Sequence, residues 1–244
     1  MDLETPDIEE ASGTFAETHW SIIAKAGGND PVRAQAALEA LCRNYWQPVY
    51  SFVRRQGYNP HDSEDLTQDF FARLLTKNYL GTVSPEKGRF RSFLLACVKH
   101  FLANEYDKGR AQKRGGGLMP IPFDTQLAES LCTTSDESAE TIFQRHWALA
   151  VLNQSLARLR PEYELSGNTQ LFESLKSALS GEDGPPAYAT IARSLHMSTT
   201  AVKVAVHRLR KRYRSALRDE IAKTVADPGE IDQEIQSLFT ALGN

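Results

Sequence analysis

Three cysteines in 244 residues, Cys42, Cys97 and Cys132, stand far apart, with no CxxC pair and no histidine at zinc-finger spacing. That pattern excludes a disulfide scaffold and suits reduced thiols in a cytoplasmic protein. Long apolar runs are missing as well. Stretches such as Phe93 to Val98 fall far short of the ~20 residues a membrane span needs, and Met1 to Glu17 is acidic where a signal peptide is basic. Neither a signal peptide nor membrane insertion is expected. Sustained period-2 alternation is absent, so strands are not expected. There is no HExxH, no GxSxG and no phosphate-binding glycine loop, because no Gly-Lys-Ser/Thr follows Arg114-Gly115-Gly116-Gly117. Asp65 and Asp69, one helical turn apart, could open a metal site in a helical hydrolase. No matching second cluster of carboxylates or histidines accompanies them. The reading is therefore a protein without catalytic residues, metal or cofactor.

What is present is helical patterning in a chain of ordinary globular composition, 41% hydrophobic and 24% charged. Apolar residues recur at helical spacing throughout, and the expected fold class is all-α. Five segments follow from composition: an acidic tail over 1–19, a helical domain over 20–114, a linker over 115–140, a second helical domain over 141–226 and a closing amphipathic helix over 227–244. The linker is rich in Gly, Pro, Ser and Thr. In the first domain, breaks are expected at Gly27 to Pro31, Gly57 to Pro60 and Gly81 to Gly88. One apolar stripe is Leu38, Leu41, Cys42, Tyr45, Val49, Phe52 and Val53; others are Leu66, Phe70 and Leu74, and Phe90, Phe93, Leu94, Cys97, Phe101 and Leu102.

A net charge of -3 hides two opposed surfaces. Residues 1 to 20 carry six acids and no Lys or Arg, while Lys203 to Arg218 carries seven Lys or Arg and no acid. That basic run lies in Tyr188 to Tyr213, which reads as a short helix, a tight turn and a second helix opened by Ser198 as N-cap. Ile191, Leu195, Val202 and Val206 form the wedge of a helix-turn-helix. The outward face of the second helix offers Ser198, Thr199, Thr200, Lys203, Val204, His207, Arg208 and Lys211 to bases or nearby phosphates. A solvated basic helix in an ordinary bundle is the competing reading. The turn position usually filled by Gly is His196, a residue that tolerates positive φ better than most.

Two further stretches decide between a plain helix-turn-helix regulator and something larger. His61 to Leu75 (His-Asp-Ser-Glu-Asp-Leu-Thr-Gln-Asp-Phe-Phe-Ala-Arg-Leu-Leu) is followed by Gly88 to Arg114, which begins Gly-Arg-Phe-Arg-Ser-Phe-Leu-Leu. The pair resembles regions 2.2 to 2.4 of the extracytoplasmic-function sigma factors, and the later helix-turn-helix resembles their region 4.2. The resemblance covers about residues 30 to 114 and 141 to 220, in the family's order. It implies core RNA polymerase and promoter DNA as partners, with an anti-sigma factor or other regulator as a third. The strip Asp62, Asp65, Leu66, Gln68 and Asp69 would dock on the polymerase clamp helices, Asp65 and Gln68 foremost. For Asp62 and Glu64 the bland reading is complementation of a helix dipole. Lys99, His100, Phe101, Asn104, Lys108, Arg110, Lys113 and Arg114 would hold the melted −10 strand, for which cations, flat side chains and polar atoms are the required chemistry. Phe101 reads equally well as core. The family's frequent Trp is Phe93 here and its usual Asn is His100, which leaves the recognised base open. The second helix of the helix-turn-helix would read the −35 element; a repressor or activator acting without polymerase is the alternative. The tail stripe Ile231, Ile235, Leu238, Phe239 and Leu242 is expected to pack on the Thr141 to Arg160 helix, against Leu149, Leu152, Leu156 and Leu159.

Overall fold

The computed structural model describes residues 31–76, 89–111, 137–180 and 188–243. Among them every regular element is helical and no strand occurs, as the patterning requires. The expected breaks at Gly27 to Pro31 and Gly81 to Gly88 fall wholly or almost wholly outside the described residues, as do the acidic tail and most of the expected linker.

Helix α1 (Pro31–Arg55) places Arg54 and Arg55 in its last turn, where cations complement the dipole. The chain reverses at Gly57, whose φ of 96° suits a residue without Cβ. Asn59 then opens α2 (Pro60–Thr76): its Oδ1 accepts the Asp62 N–H at 2.8 Å, and its Nδ2 donates to the Asp62 carboxylate at 2.8 Å. Pro60 follows the cap at a position that needs no donor. Helix α3 spans Phe90–Ala111.

The second half of the chain begins with α4 (Ala139–Leu165), capped by Ser138, which accepts from Thr141 N–H at 3.1 Å. It ends on Gly167 at φ 70°, with Asn168 N–H bonded to Tyr163 O and Gly167 N–H to Glu164 O, a Schellman closure. Then come α5 (Thr169–Ser180), α6 (Tyr188–Ser194), α7 (Thr199–Ala222), a 3₁₀ turn at Pro228–Glu230 and α8 (Ile231–Ala241).

Two apolar cores result, and α4 runs through both. Its first half contributes Phe143, Trp147 and Val151 to the core formed by Tyr45, Val49 and Phe52 of α1, Phe70, Phe71 and Leu74 of α2, and Phe90, Leu94 and Val98 of α3. Leu217 and Ile221 from the end of α7 and Leu238 of α8 close the same core. The other half of α4 gives Leu159 and Tyr163 to the helix-turn-helix core of Phe172, Leu175, Ile191, Val202, Val206 and Leu209. Aromatic pairs stitch the first core: Trp46 stacks on Phe71 at 6.0 Å between centroids, and Phe52 meets Phe143 edge to face at 6.4 Å. Of the first expected stripe, the side chain of Leu38 lies outside the described set.

The tail helix does reach α4, by a face that differs from the expected one. The buried line on α4 is Phe143, Trp147, Val151, Ser155, Leu159 and Tyr163, with Leu149, Leu152 and Leu156 half-buried beside it. On α8, Leu238 is fully buried and Ile231, Ile235 and Leu242 are packed against the core, whereas Phe239 stays 42% exposed. Glu234, not part of the expected stripe, is completely buried.

Candidate nucleic-acid and polymerase interfaces

On α2 the side chains of Phe70, Phe71 and Leu74 turn inward, which leaves His61, Asp62, Glu64 and Asp65 in solvent and Gln68 and Asp69 half-exposed. Asp62 is engaged by the Asn59 cap, so part of its role is structural. Asp65 stands 3.2 Å from His61 Nδ1, both well exposed. Asp69 holds Arg73 at 3.0 Å, and Arg73 also pairs with Glu105 of α3. Leu66 is half-buried against the core and presents only an edge. The strip is thus acidic at its start and self-neutralised at its end.

On α3, Lys99 and His100 are exposed and Asn104 half-exposed, with Asn104 Nδ2 3.1 Å from His100 Nδ1. Tyr106, with a flat side chain, is 61% exposed. Phe101 is a correction: at 4% exposure it belongs to the core, its ring 5.7 Å from Phe70 and 5.3 Å from the Arg73 guanidinium. A ring spent on these neighbours is not free to stack on a base. Lys108 and Arg110 lie on α3 but their side chains are outside the described set, and Lys113 and Arg114 fall outside the described residues. Lys99 is bound to Glu140 in the first turn of α4 at 2.6 Å. That hydrogen bond from Lys99, helped by the backbone N–H at the helix start, holds the Glu140 carboxyl below its usual range. Next to this pair, Tyr58, Leu102 and Tyr106 line an open cleft.

The helix-turn-helix forms as its sequence requires. Ser198 caps α7, accepting from Ala201 N–H at 3.1 Å. His196 occupies the turn at φ 52°, the left-handed conformation that Gly usually supplies, and Met197 N–H bonds to Ala192 O at 2.9 Å. Burial of Val202, Val206 and Leu209 leaves Ser198, Thr199, Thr200, Lys203, Val204, His207, Arg208 and Lys211 on the outer face, all exposed. Ion pairing sorts the basic residues of α7. Arg212 pairs with Glu162 at 3.3 Å and Arg218 with Asp232, both at the inner flank. Lys203, Arg208 and Lys211 pair with no described carboxylate. Val204, 44% exposed among these cations, suits contact with a thymine methyl.

The residues that sequence reasoning missed join the two halves. Glu234 accepts from Arg91 at 2.6 and 3.0 Å and pairs with Arg89 Nε at 2.9 Å. The Arg91 guanidinium lies 4.4 Å over the Trp147 ring and also reaches Gln144. The signal was available: Glu234 stands three residues after Ile231 and four before Leu238, on the apolar line itself.

Among the described residues no group of three His, Cys, Asp or Glu side chains is arranged to hold a metal. No described helix is long and apolar enough to cross a membrane.

Residues 41–112 match the family model for sigma-70 region 2. The chain is 28% identical over 200 residues to the ECF RNA polymerase sigma factor SigE of Mycolicibacterium smegmatis, an alignment covering 80% of this chain and 66% of that protein, just under two thirds of its length. No solved structure matches.

Proposed function

We infer that this chain is an extracytoplasmic-function sigma factor and confers promoter recognition on bacterial core RNA polymerase. It acts in the cytoplasm as a non-catalytic initiation subunit. The observation that carries the reading is the order of two elements on one chain: a match to sigma-70 region 2 over 41–112, then a helix-turn-helix whose outer face holds Lys203, Arg208 and Lys211, which pair with no carboxylate among the described residues. Residues 20–114 hold the polymerase and −10 surfaces, and 141–226 the −35 surface.

Each surface has a physical task. Asp65 and Gln68 on α2 offer carboxylate and amide groups to a basic or polar partner helix. Lys99, His100, Asn104 and Tyr106 combine a cation, polar atoms and a flat ring, the set that a melted strand requires. Helix α7 enters a major groove amino end first, with Thr199 and Thr200 nearest its floor and Arg208 and Lys211 on the phosphates. The polar strip on α2 separates this reading from a repressor, which needs only the helix-turn-helix.

Purified chain added to core polymerase on a library of promoter fragments tests this reading. Start sites absent with core enzyme alone are expected. Operator binding without any polymerase-dependent start site would leave the helix-turn-helix regulator as the function.

A further inference from the structure

The polymerase surface and the −10 surface lie on different helices, α2 and α3, so their joint use depends on the angle between the two. The second half of α3 carries His100, Asn104 and Tyr106 and meets α2 at two places. Phe101 packs edge to face on Phe70 at 5.7 Å, and Arg73 near the end of α2 reaches across to Glu105. The apolar contact is non-directional, and a cavity lined by Phe70, Arg73, Leu74, Cys97 and Phe101 is left within it. Such a contact sets how near α3 lies to α2 and leaves its rotation to other groups.

Arg73 supplies the direction. Its Nη2 donates to Asp69 on its own helix at 3.0 Å, its Nη1 donates to Glu105 on α3, and its guanidinium carbon stands 5.3 Å from the centre of the Phe101 ring. A guanidinium is planar with donors at fixed angles, so one held on three sides has one orientation and imposes it on its partners. All three side chains are more than half covered, where salt screens a pair less than in open solvent. Asn104 and Tyr106 flank Glu105, and anchoring that residue fixes the turn that carries them. Asp69 closes the acidic strip of α2. The bridge thus runs from the docking surface to the −10 surface.

We propose that Arg73 is a positioning residue: by bridging Asp69 and Glu105 it holds the −10 face of α3 at one angle to the docking face of α2, so that binding to polymerase aims His100 and Asn104 at the melted strand. The proposal rests on the sigma reading above. Arg73 acts through Glu105 and need touch neither polymerase nor DNA. A site whose supporting side chains are loosened loses function steeply with small displacements.

The test compares Arg73→Lys, Glu105→Gln and Glu105→Met in the full chain, bound to core polymerase on a promoter fragment from which the wild-type chain starts transcription. Lysine keeps the charge and the i,i+4 pair with Asp69 but has no fork, whereas Glu105→Gln loses a charge and keeps an oxygen that accepts from Nη1. Permanganate reactivity of thymines upstream of the start site reads strand opening, and fluorescence anisotropy of labelled chain reads polymerase affinity. Arg73→Lys and Glu105→Met are expected to lower opening about tenfold or more, with polymerase affinity within about twofold of wild type, while Glu105→Gln opens within about threefold of wild type. The reverse order, with Arg73→Lys active and Glu105→Gln impaired, assigns the effect to charge alone and overturns the proposal. Full opening by both Arg73→Lys and Glu105→Met overturns it too, as does a polymerase affinity that falls as far as the opening. Circular dichroism melts establish that each variant is folded at the assay temperature, and because the two impaired variants cut the bridge from opposite helices, either one suffices. Failure of the wild-type chain to start transcription on any fragment strikes the sigma reading instead.

Discussion

Removing the Glu234 carboxylate should cost this fold several kcal/mol. The group is fully buried and neutralises two guanidiniums, of which Arg91 has only 9% of its side chain exposed and Arg89 24%. Glu234→Ala leaves Arg91 with no counter-charge beneath Trp147. Breaking a buried pair by deleting one partner costs about 3–5 kcal/mol, because the remaining ion keeps its desolvation penalty. For a chain of this size each kcal/mol shifts the melting midpoint by about 2–4 °C, so a fall of roughly 6–20 °C is expected. The converse holds for the whole network. Arg89→Met and Arg91→Met with Glu234→Leu remove all three charges and keep the volume, an exchange that is often neutral or stabilising. Thermal melts followed by circular dichroism on both variants separate the two effects. A loss below about 1 kcal/mol in Glu234→Ala would mean that the pair is hydrated, as surface pairs are, and would refute a docked tail.

His196→Gly should raise stability by a few tenths to about 1 kcal/mol, since it relieves a left-handed residue but loosens the unfolded chain; a lower melting midpoint would contradict that reading of the turn. His146, buried between α1 and α4 and hydrogen-bonded to Ser51, has its pKa lowered, first by burial and then by Arg145. A base with a depressed folded pKa binds fewer protons folded than unfolded, so its stability contribution is intact above about pH 6.5 and is lost as pH falls below that value; melts at stepped pH should show the loss in wild type and its absence in His146→Gln. Burial pushes the Cys42 and Cys97 thiols up to about 12; Cys42, 2% exposed, should label with maleimide near neutral pH only as fast as the fold opens, and half-buried Cys97 faster, and rapid labelling of Cys42 would place it at the surface. Removing Lys203 or Arg208 should flatten the salt dependence of DNA binding by about one unit each, and a slope indifferent to both would take them off the phosphates.

Local chemistry made the helix-turn-helix legible. Ser198 as a cap and His196 as the turn residue each follow from a few neighbouring positions, and pattern alone divides α7 into Val202, Val206 and Leu209 inside and Lys203, Arg208 and Lys211 outside. The acidic start of α2 was legible for the same reason, although the Asn59–Asp62 cap gives Asp62 a local task beside any partner. Phe101 marks the limit. A helix period places it equally well beside Phe70 or beside a base, and only the packing of α2 on α3 decides.

The long-range seam was hidden by a different cause. Helix α4 is apolar over more than one face because it serves two cores, with Phe143 and Trp147 in one and Leu159 and Tyr163 in the other. A single-stripe reading therefore chose Leu149, Leu152, Leu156 and Leu159, only the last of which is buried. An ion pair such as Arg91 with Glu234, 143 positions apart, leaves no periodic trace except an acid on an apolar line. A buried acid on such a line needs a cation from another element, as every buried charge needs a partner. By that rule Glu234 alone implies a basic partner elsewhere in the fold, and the start of α3, with Arg89 and Arg91 two residues apart, supplies it twice. The tail is thereby joined to the amino-terminal half by charge, while its Leu238 lies in the apolar core to which α4 and α7 also contribute.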